Sequence, residues 1–211
     1  DVNGDKKRYA FFGIGNFNES TAAIYSDYGM LTTNPTLIQE LRQVFKFLTM
    51  KREKPEIKHL LVAQINLVER FIDLIDREIT HAKAGKKAYL LIKVNNLEDP
   101  VIVEKLYEAS QAGVRVDLIV RSICCIVPNK PNVSENIRVI RIVDMFLEHA
   151  RAFYFYNDGQ DELYLGSADY MQRNLYRRVE VVFPVQNPEI KAEVLHTLRL
   201  QLEDNTKARI L

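Results

Sequence analysis

His149, in the run Phe146-Leu147-Glu148-His149, has the surroundings best suited to chemistry. It lies just before the apolar stretch Ala152 to Tyr156, which a turn-forming segment, Asn157 to Gln160, joins to a second stretch ending in Gly166-Ser167-Ala168-Asp169. A hairpin places the start of the first stretch beside the end of the second, so the imidazole meets a hydroxyl and a carboxylate at one sheet edge. Histidine in such company is a general acid/base or a nucleophile. Arginines surround it in the sequence. Arg121 stands just past the apolar Val116-Asp117-Leu118-Ile119-Val120, where open α/β sheets bind ligands, Arg151 is two residues from His149, and Arg173, Arg177 and Arg178 follow the Asp169 turn. The planar guanidinium fork matches phosphate oxygens, so the chemistry implied is phosphoryl or phosphodiester transfer.

Plainer readings stand beside this one. Motifs this short recur by chance. Arg151 could pair with Glu148, Arg138 and Arg177 could be solvated sheet-face residues, and His59, His81 and His196 read as ordinary solvated histidines. Gly13-Ile14-Gly15-Asn16 lacks the Gly-Lys-Ser/Thr ending of a Walker loop. Cys124-Cys125 has no partners at zinc spacing and reads as thiols buried at a strand end.

Several elements must position these residues. Strands are predicted over 8–12 and 25–31, with a short helical stretch at 19–23 between them. Asn34-Pro35 is a cap followed by a proline at the first helical position, opening a helix to Thr49 on the spacing of Leu37, Leu41, Val44, Phe45 and Leu48. The charged segment Lys51 to Lys58 interrupts both periodicities and divides the chain into 1–56 and 57–211. Beyond it come strand 59–63, helix 66–84, strand 88–94, helix 99–112 and strand 115–121, an alternation that predicts a parallel sheet. Strands near 137–142, 151–156, 162–166 and 178–184 and a helix over 188–203 complete an α/β chain.

Composition agrees. Hydrophobic residues are 47% and charged residues 27%, a globular balance. Glycine and proline together number 15 of 211, below the ~12% average, which favours long regular elements. The 29 basic and 28 acidic residues give a formal charge of +1, so no overall field would hold duplex nucleic acid or an anionic membrane, and any anion site must be local. Adjacent cysteines cannot form an ordinary disulfide with each other, and no apolar run nears the ~20 residues of a membrane span; a cytoplasmic location is the expectation.

A weak internal repeat connects the two ends of the chain. Setting Gly13 against Gly166, an offset of 153 residues, pairs Asn16 with Asp169, Tyr25 with Arg178 and Asp27 with Glu180. On this reading the opening strand is the tail of a first copy that begins before Asp1.

His149-x-Arg151 followed by Gly166-Ser167-Ala168-Asp169 resembles a degenerate form of the phospholipase D superfamily motif, His-x-Lys then Gly-Ser-x-Asn. A closer resemblance, over essentially the whole chain, is to the long, histidine-phosphorylated polyphosphate kinases. It rests on Gly13-Ile14-Gly15-Asn16-Phe17-Asn18, Tyr25-Ser26-Asp27-Tyr28, Leu118-Ile119-Val120-Arg121, Ser134-Glu135-Asn136-Ile137-Arg138, Phe146-Leu147-Glu148-His149 and Ser167-Ala168-Asp169-Tyr170-Met171-x-Arg173-Asn174. Ser122, Ile14 and Tyr170 depart from that family's usual Gly, Thr and Trp.

The resemblance implies a phospholipase-D-like mixed sheet flanked by helices, with one complete domain after the tail of a similar one. It implies reversible transfer of the ATP γ-phosphate to inorganic polyphosphate through a phosphohistidine, with ATP/ADP and polyphosphate as partners. Magnesium is the implied cofactor, its ligands upstream of this chain. His149 would act as general acid/base or phosphate contact, Tyr25 would line the nucleotide pocket, and Arg121 and Arg178 would hold phosphates. The phosphorylated histidine would lie just upstream of Asp1, leaving the isolated chain inactive. Homo-oligomerisation and peripheral membrane association would belong to the longer protein. Alternatives are a phospholipase-D-like phosphodiesterase or nuclease, against which Arg151 in the Lys position and Asp169 in the Asn position count, and a non-catalytic polyphosphate-binding module.

Overall fold

A computed structural model describes residues 7–50 and 53–211. In chain order the elements are β1 (Ala10–Gly13), α1 (Glu19–Ala22), β2 (Tyr25–Ser26), β3 (Gly29–Thr32), α2 (Pro35–Met50), β4 (Leu61–Val62), α3 (Leu67–Lys83), β5 (Tyr89–Val94), α4 (Pro100–Gln111), β6 (Arg115–Val120), β7 (Ile137–Ile142), β8 (Leu147–Glu148), β9 (Ala152–Phe155), β10 (Glu162–Gly166), β11 (Val181–Pro184), α5 (Pro188–Glu203) and β12 (Ala208–Ile210). Local chemistry sets the helix ends. Proline opens α2, α4 and α5, where its missing N–H costs nothing, and the Asn34, Asp99 and Asn187 side chains accept from the free amides of the first turn. Gly85 and Gly113 close α3 and α4 at φ 73° and 92°, in the left-handed region where a side chain is strained.

Eight strands form one sheet in the order β12-β7-β6-β5-β9-β10-β11-β4. The β5, β6 and β7 strands are parallel, and every other neighbouring pair is antiparallel. Helices cover both faces. Leu90, Ile92 and Val94 face α3 and α4, while Leu91 faces α2 and α5, the strict alternation of a pleated sheet buried on both sides. The mixed α/β sheet flanked by helices is the architecture anticipated from the sequence. Three details differ. The β4 strand sits at the far edge beside β11 rather than next to β5, because the β9–β10–β11 meander fills the intervening places. The strand anticipated over 25–31 is two, since the chain changes sheets at Asp27-Tyr28: β2 pairs in parallel with β8, and β3 pairs with β1. The stretch anticipated as strand 178–184 begins only at Val181, after a π-turn over Arg173–Arg177.

The repeat is present in backbone detail. In the β1–β3 ladder Gly13 faces Gly29 and Phe12 faces Met30; in the β10–β11 ladder Gly166 faces Val182 and Leu165 faces Phe183. Each position maps onto the other by the 153-residue offset. Beyond the ladders, Ile14 N–H donates to the Tyr28 carbonyl and Ser167 N–H to that of Val181, again one offset apart. The helices α2 and α5 begin and end at equivalent positions, each behind an asparagine cap.

The proposed interdomain segment includes Lys51 and Arg52, which lie outside the described residues. Its far side is anchored by Glu40, whose nearly buried carboxylate accepts from the Lys58, His59 and Leu60 amides at 2.8–3.1 Å and meets His59 Nδ1 at 2.8 Å. Burial alone would raise this carboxyl's pKa, but the Leu60, Lys58 and His59 donors outweigh it and hold it below the usual value. The stabilisation is therefore present above the ordinary carboxylate pKa and is lost as pH falls through the lower folded value. Glu40→Gln is expected to cost about 1–3 kcal/mol at neutral pH, with the difference from wild type shrinking below about pH 4, as measured by urea denaturation at both pH values.

Candidate active site

The carboxyl ends of β5, β6 and β10 and the start of β9 reach the same edge of the sheet. The residues just beyond those ends are polar. Asn95 and Asn96 follow β5, Arg121 follows β6, His149 and Arg151 precede β9, and Asp169 lies three residues after β10. Asp169 is 4% exposed and serves as the junction of these segments. Its Oδ1 accepts from the Asn95 amide at 2.7 Å, the Asn96 amide at 3.2 Å and Arg151 Nε at 3.3 Å; its Oδ2 accepts from Arg151 Nη2 at 3.1 Å. Arg151 thus pairs with Asp169 rather than with Glu148, which is held by Lys93 and Gln201. Buried charges are tolerable only when compensated in this way.

His149 is set by its neighbours on every side. Its Nδ1 lies 2.9 and 3.1 Å from the two carboxylate oxygens of Asp27. An ionised carboxylate only accepts, so Nδ1 is the donor in this contact. Arg151 Nη1 donates to the His149 carbonyl at 3.0 Å and sits 3.1 Å from Nε2. Tyr25 packs against the imidazole with ring centroids 4.7 Å apart. The β2–β8 ladder makes this possible: Leu147 N–H donates to the Ile24 carbonyl, and His149 and Ala150 N–H both donate to that of Ser26, which pins the early segment onto the His149 strand.

Arg121 completes the cluster. Burial lowers its pKa, as does repulsion from Arg151, while Asp169, Tyr25 and Asp27 pull the other way. Those groups are therefore all within electrostatic reach of one guanidinium, whose Nε is buried without a hydrogen-bond partner among the described residues. Lys93 lies behind them, 3% exposed; desolvation lowers its pKa against the opposing pull of Glu148 and Asp27. The edge presents an imidazole whose Nδ1 is held by Asp27 and whose Nε2 faces the Arg151 guanidinium, with Arg121 close by and carboxylates behind. This arrangement can exchange a proton at Nε2 and hold phosphate oxygens at Arg121 and Arg151.

Of the residues singled out in the sequence, His149, Tyr25 and Arg121 come together. Arg178 is exposed, just before β11 and two strands from β9, where its carbonyl accepts from Gln64 Nε2. Arg173 and Arg177 are exposed on the neighbouring π-turn. Sequence reasoning passed over Lys93 and the Asn95-Asn96 pair. A lysine inside the apolar run Leu90-Leu91-Ile92-Lys93-Val94, followed by two asparagines at a strand end, was the available signal.

A mixed α/β domain with a histidine seated between a carboxylate and arginines at the ends of its central strands is the class that fold and cluster define. The chain belongs to the polyphosphate kinase family: the description of the polyphosphate kinase C-terminal domain 2 matches residues 60–211, and that of C-terminal domain 1 matches 1–54. It is 48% identical to a polyphosphate kinase of Synechocystis sp. over 204 residues, covering 97% of this chain and 28% of that protein. Identity to polyphosphate kinase 1 of Chlorobaculum tepidum is also 48%, over 202 residues, 29% of that protein. The crystal structure of the polyphosphate kinase from Porphyromonas gingivalis matches with a TM-score of 0.92 at 46% identity, over 96% of this chain and 31% of that one. The chain thus spans about 30% of the length of these relatives.

Because Asp169 is a buried carboxylate with both a guanidinium and two backbone amides on it, Asp169→Ala strands a buried cation and two donors. A loss of about 3–5 kcal/mol is expected, read as a fall in the guanidinium chloride midpoint.

Proposed function

We propose that this chain is the carboxy-terminal part of a polyphosphate kinase, an ATP:polyphosphate phosphotransferase working through a phosphohistidine, and that the edge around His149 is its half of the active site. The observation carrying this reading is the His149 cluster itself, with Nδ1 held by Asp27 and Nε2 against Arg151. Family membership supports the substrate assignment of ATP and polyphosphate.

Residues 1–56 are assigned as the tail of a first catalytic domain and 57–211 as the second. Support comes from the 153-residue offset that relates β1, β3 and α2 to β10, β11 and α5. Carried back from His149, the same offset puts the equivalent histidine just upstream of Asp1, where the family's phosphorylated residue is expected. The γ-phosphoryl group passes from ATP to that histidine with release of ADP, then to a terminal oxygen of polyphosphate. His149 Nε2 contacts the phosphoryl group or exchanges a proton with it. Arg121 and Arg151 offset the charge spread over its oxygens, the largest contribution protein groups make to such transfers. Tyr25 holds the imidazole face and borders the nucleotide. Arg178, two strands along the same edge, is assigned to a more distant phosphate.

Magnesium is the cofactor expected of the family; among the described residues no group of three or more His, Cys, Asp or Glu is disposed to hold a metal ion. Its ligands are assigned to the upstream part of the longer protein. No helix among the described residues is long and apolar enough to cross a membrane, which is compatible with the cytoplasmic location proposed here. The phosphodiesterase alternative is less well served, because Arg151 and Asp169 stand where that motif has lysine and asparagine.

In the full-length protein, His149→Ala is expected to lower polyphosphate synthesis from ATP by ~10²–10⁴-fold with an unchanged denaturation midpoint, and Asp27→Asn to lower it less; near-normal turnover in His149→Ala would overturn the assignment.

A further inference from the structure

The opposite edge of the same sheet carries a second basic site. The residues that open β5 and β6, Tyr89 and Arg115, together with Arg138 near the start of β7, meet the far end of β9 and the last turns of α5 around a cavity of about 440 Å³. That volume is within the ~300–1,000 Å³ of small-molecule sites. Strands six residues long put it about 20 Å from the His149 cluster. Four cations line it, Lys87, Arg115, Arg138 and Arg199, against one carboxylate, Glu203. Only Arg115 has an acidic partner, Asp117 at 2.9 Å, and among the described residues Lys87, Arg138 and Arg199 form no ion pair. Arg138 instead donates to the Leu202 carbonyl at 2.7 Å, which holds its guanidinium against α5.

Tyrosines make the walls. Lys87 Nζ lies 4.6 Å from the Tyr156 ring centroid and Arg115 Cζ lies 5.4 Å from that of Tyr89, so two cations are held over aromatic faces. Tyr89 donates its hydroxyl to Asp117 at 2.8 Å, fixing that wall. Burial, followed by the influence of Asp161, raises the Tyr154 hydroxyl to about 12. Lys87, Arg115 and Arg199 are exposed, so solvent screens their mutual repulsion, and the surplus of positive charge leaves the cavity open to an anion. The guanidinium forks and the ammonium suit oxygens carried on successive phosphorus atoms better than a single small anion.

We propose that this cavity is a second oligophosphate-binding site, distinct from the His149 edge, that takes a condensed phosphate chain carried either by inorganic polyphosphate or by a nucleotide. The site does not depend on the catalytic reading, since none of its residues belongs to the His149 cluster. Lys87 and Arg199 are exposed and make no hydrogen bond among the described residues, so both can be changed without disturbing the core.

The test is calorimetric titration of the chain with sodium tripolyphosphate and, separately, with ATP, at fixed low ionic strength, since phosphate contacts weaken steeply with salt. Three proteins are compared: wild type, Lys87→Ala/Arg199→Ala, and His149→Ala/Arg121→Ala. The expected result is that the first double variant loses at least tenfold in affinity for one binding event that the second double variant retains. Tighter binding of ATP than of tripolyphosphate at that event would assign a nucleotide, with the base against the tyrosines; equal or weaker binding of ATP would assign the inorganic chain. Affinities within twofold of wild type for both ligands in Lys87→Ala/Arg199→Ala, with circular dichroism unchanged, would overturn the proposal. Loss of binding only in the His149→Ala/Arg121→Ala variant would overturn it as well and leave the catalytic reading intact.

Discussion

The site depends on one buried carboxylate. Asp169 takes the amides that end β5, 74 and 73 residues away in sequence, and the guanidinium that precedes β9, 18 residues away, and so joins three strand ends. A carboxylate in that position would be strongly unfavourable without its donors, and Arg151 would be equally so without Asp169. Each makes the other's burial possible. The consequence reaches His149, because the guanidinium fixed by Asp169 lies against the imidazole and bonds its carbonyl.

A second constraint acts from the other side. The two-residue parallel ladder between β2 and β8 is too short to be stable alone, yet it sets the register that places Asp27 opposite His149. The imidazole is therefore oriented by a carboxylate from the segment between β2 and β3 and by an arginine at the start of β9. In the pseudo-equivalence of β1–β3–α2 with β10–β11–α5, Asp27 and Glu180 occupy matching positions, one offset apart. Glu180 is itself buried and accepts from Asn174 at 2.6 Å.

The two edges of the sheet contrast in how they treat positive charge. At the His149 edge each arginine has carboxylates within reach, whereas the cavity under α5 leaves most of its cations uncompensated. A net charge of +1 hides both arrangements, since it sums over groups that the fold separates.

The sequence by itself determined the elements that depend on near neighbours: the proline- and asparagine-marked starts of α2 and α5, the glycine-closed ends of α3 and α4, the β9–β10 hairpin, and the 153-residue offset. These are readable because capping, turn formation and strand alternation are local, and a repeat needs only comparison along the chain. It also placed His149 and Arg121 at strand ends, where chemistry is commonly found. What tertiary structure alone decided is partnership. That Asp27 meets His149 across 122 positions, that Arg151 turns to Asp169 instead of Glu148, that Arg178 stands two strands away, and that β4 lies at the far edge all follow from strand order and register. Such pairings are fixed by which buried charges must find compensation and which apolar faces must be covered, and both are properties of the assembled sheet rather than of any stretch of sequence.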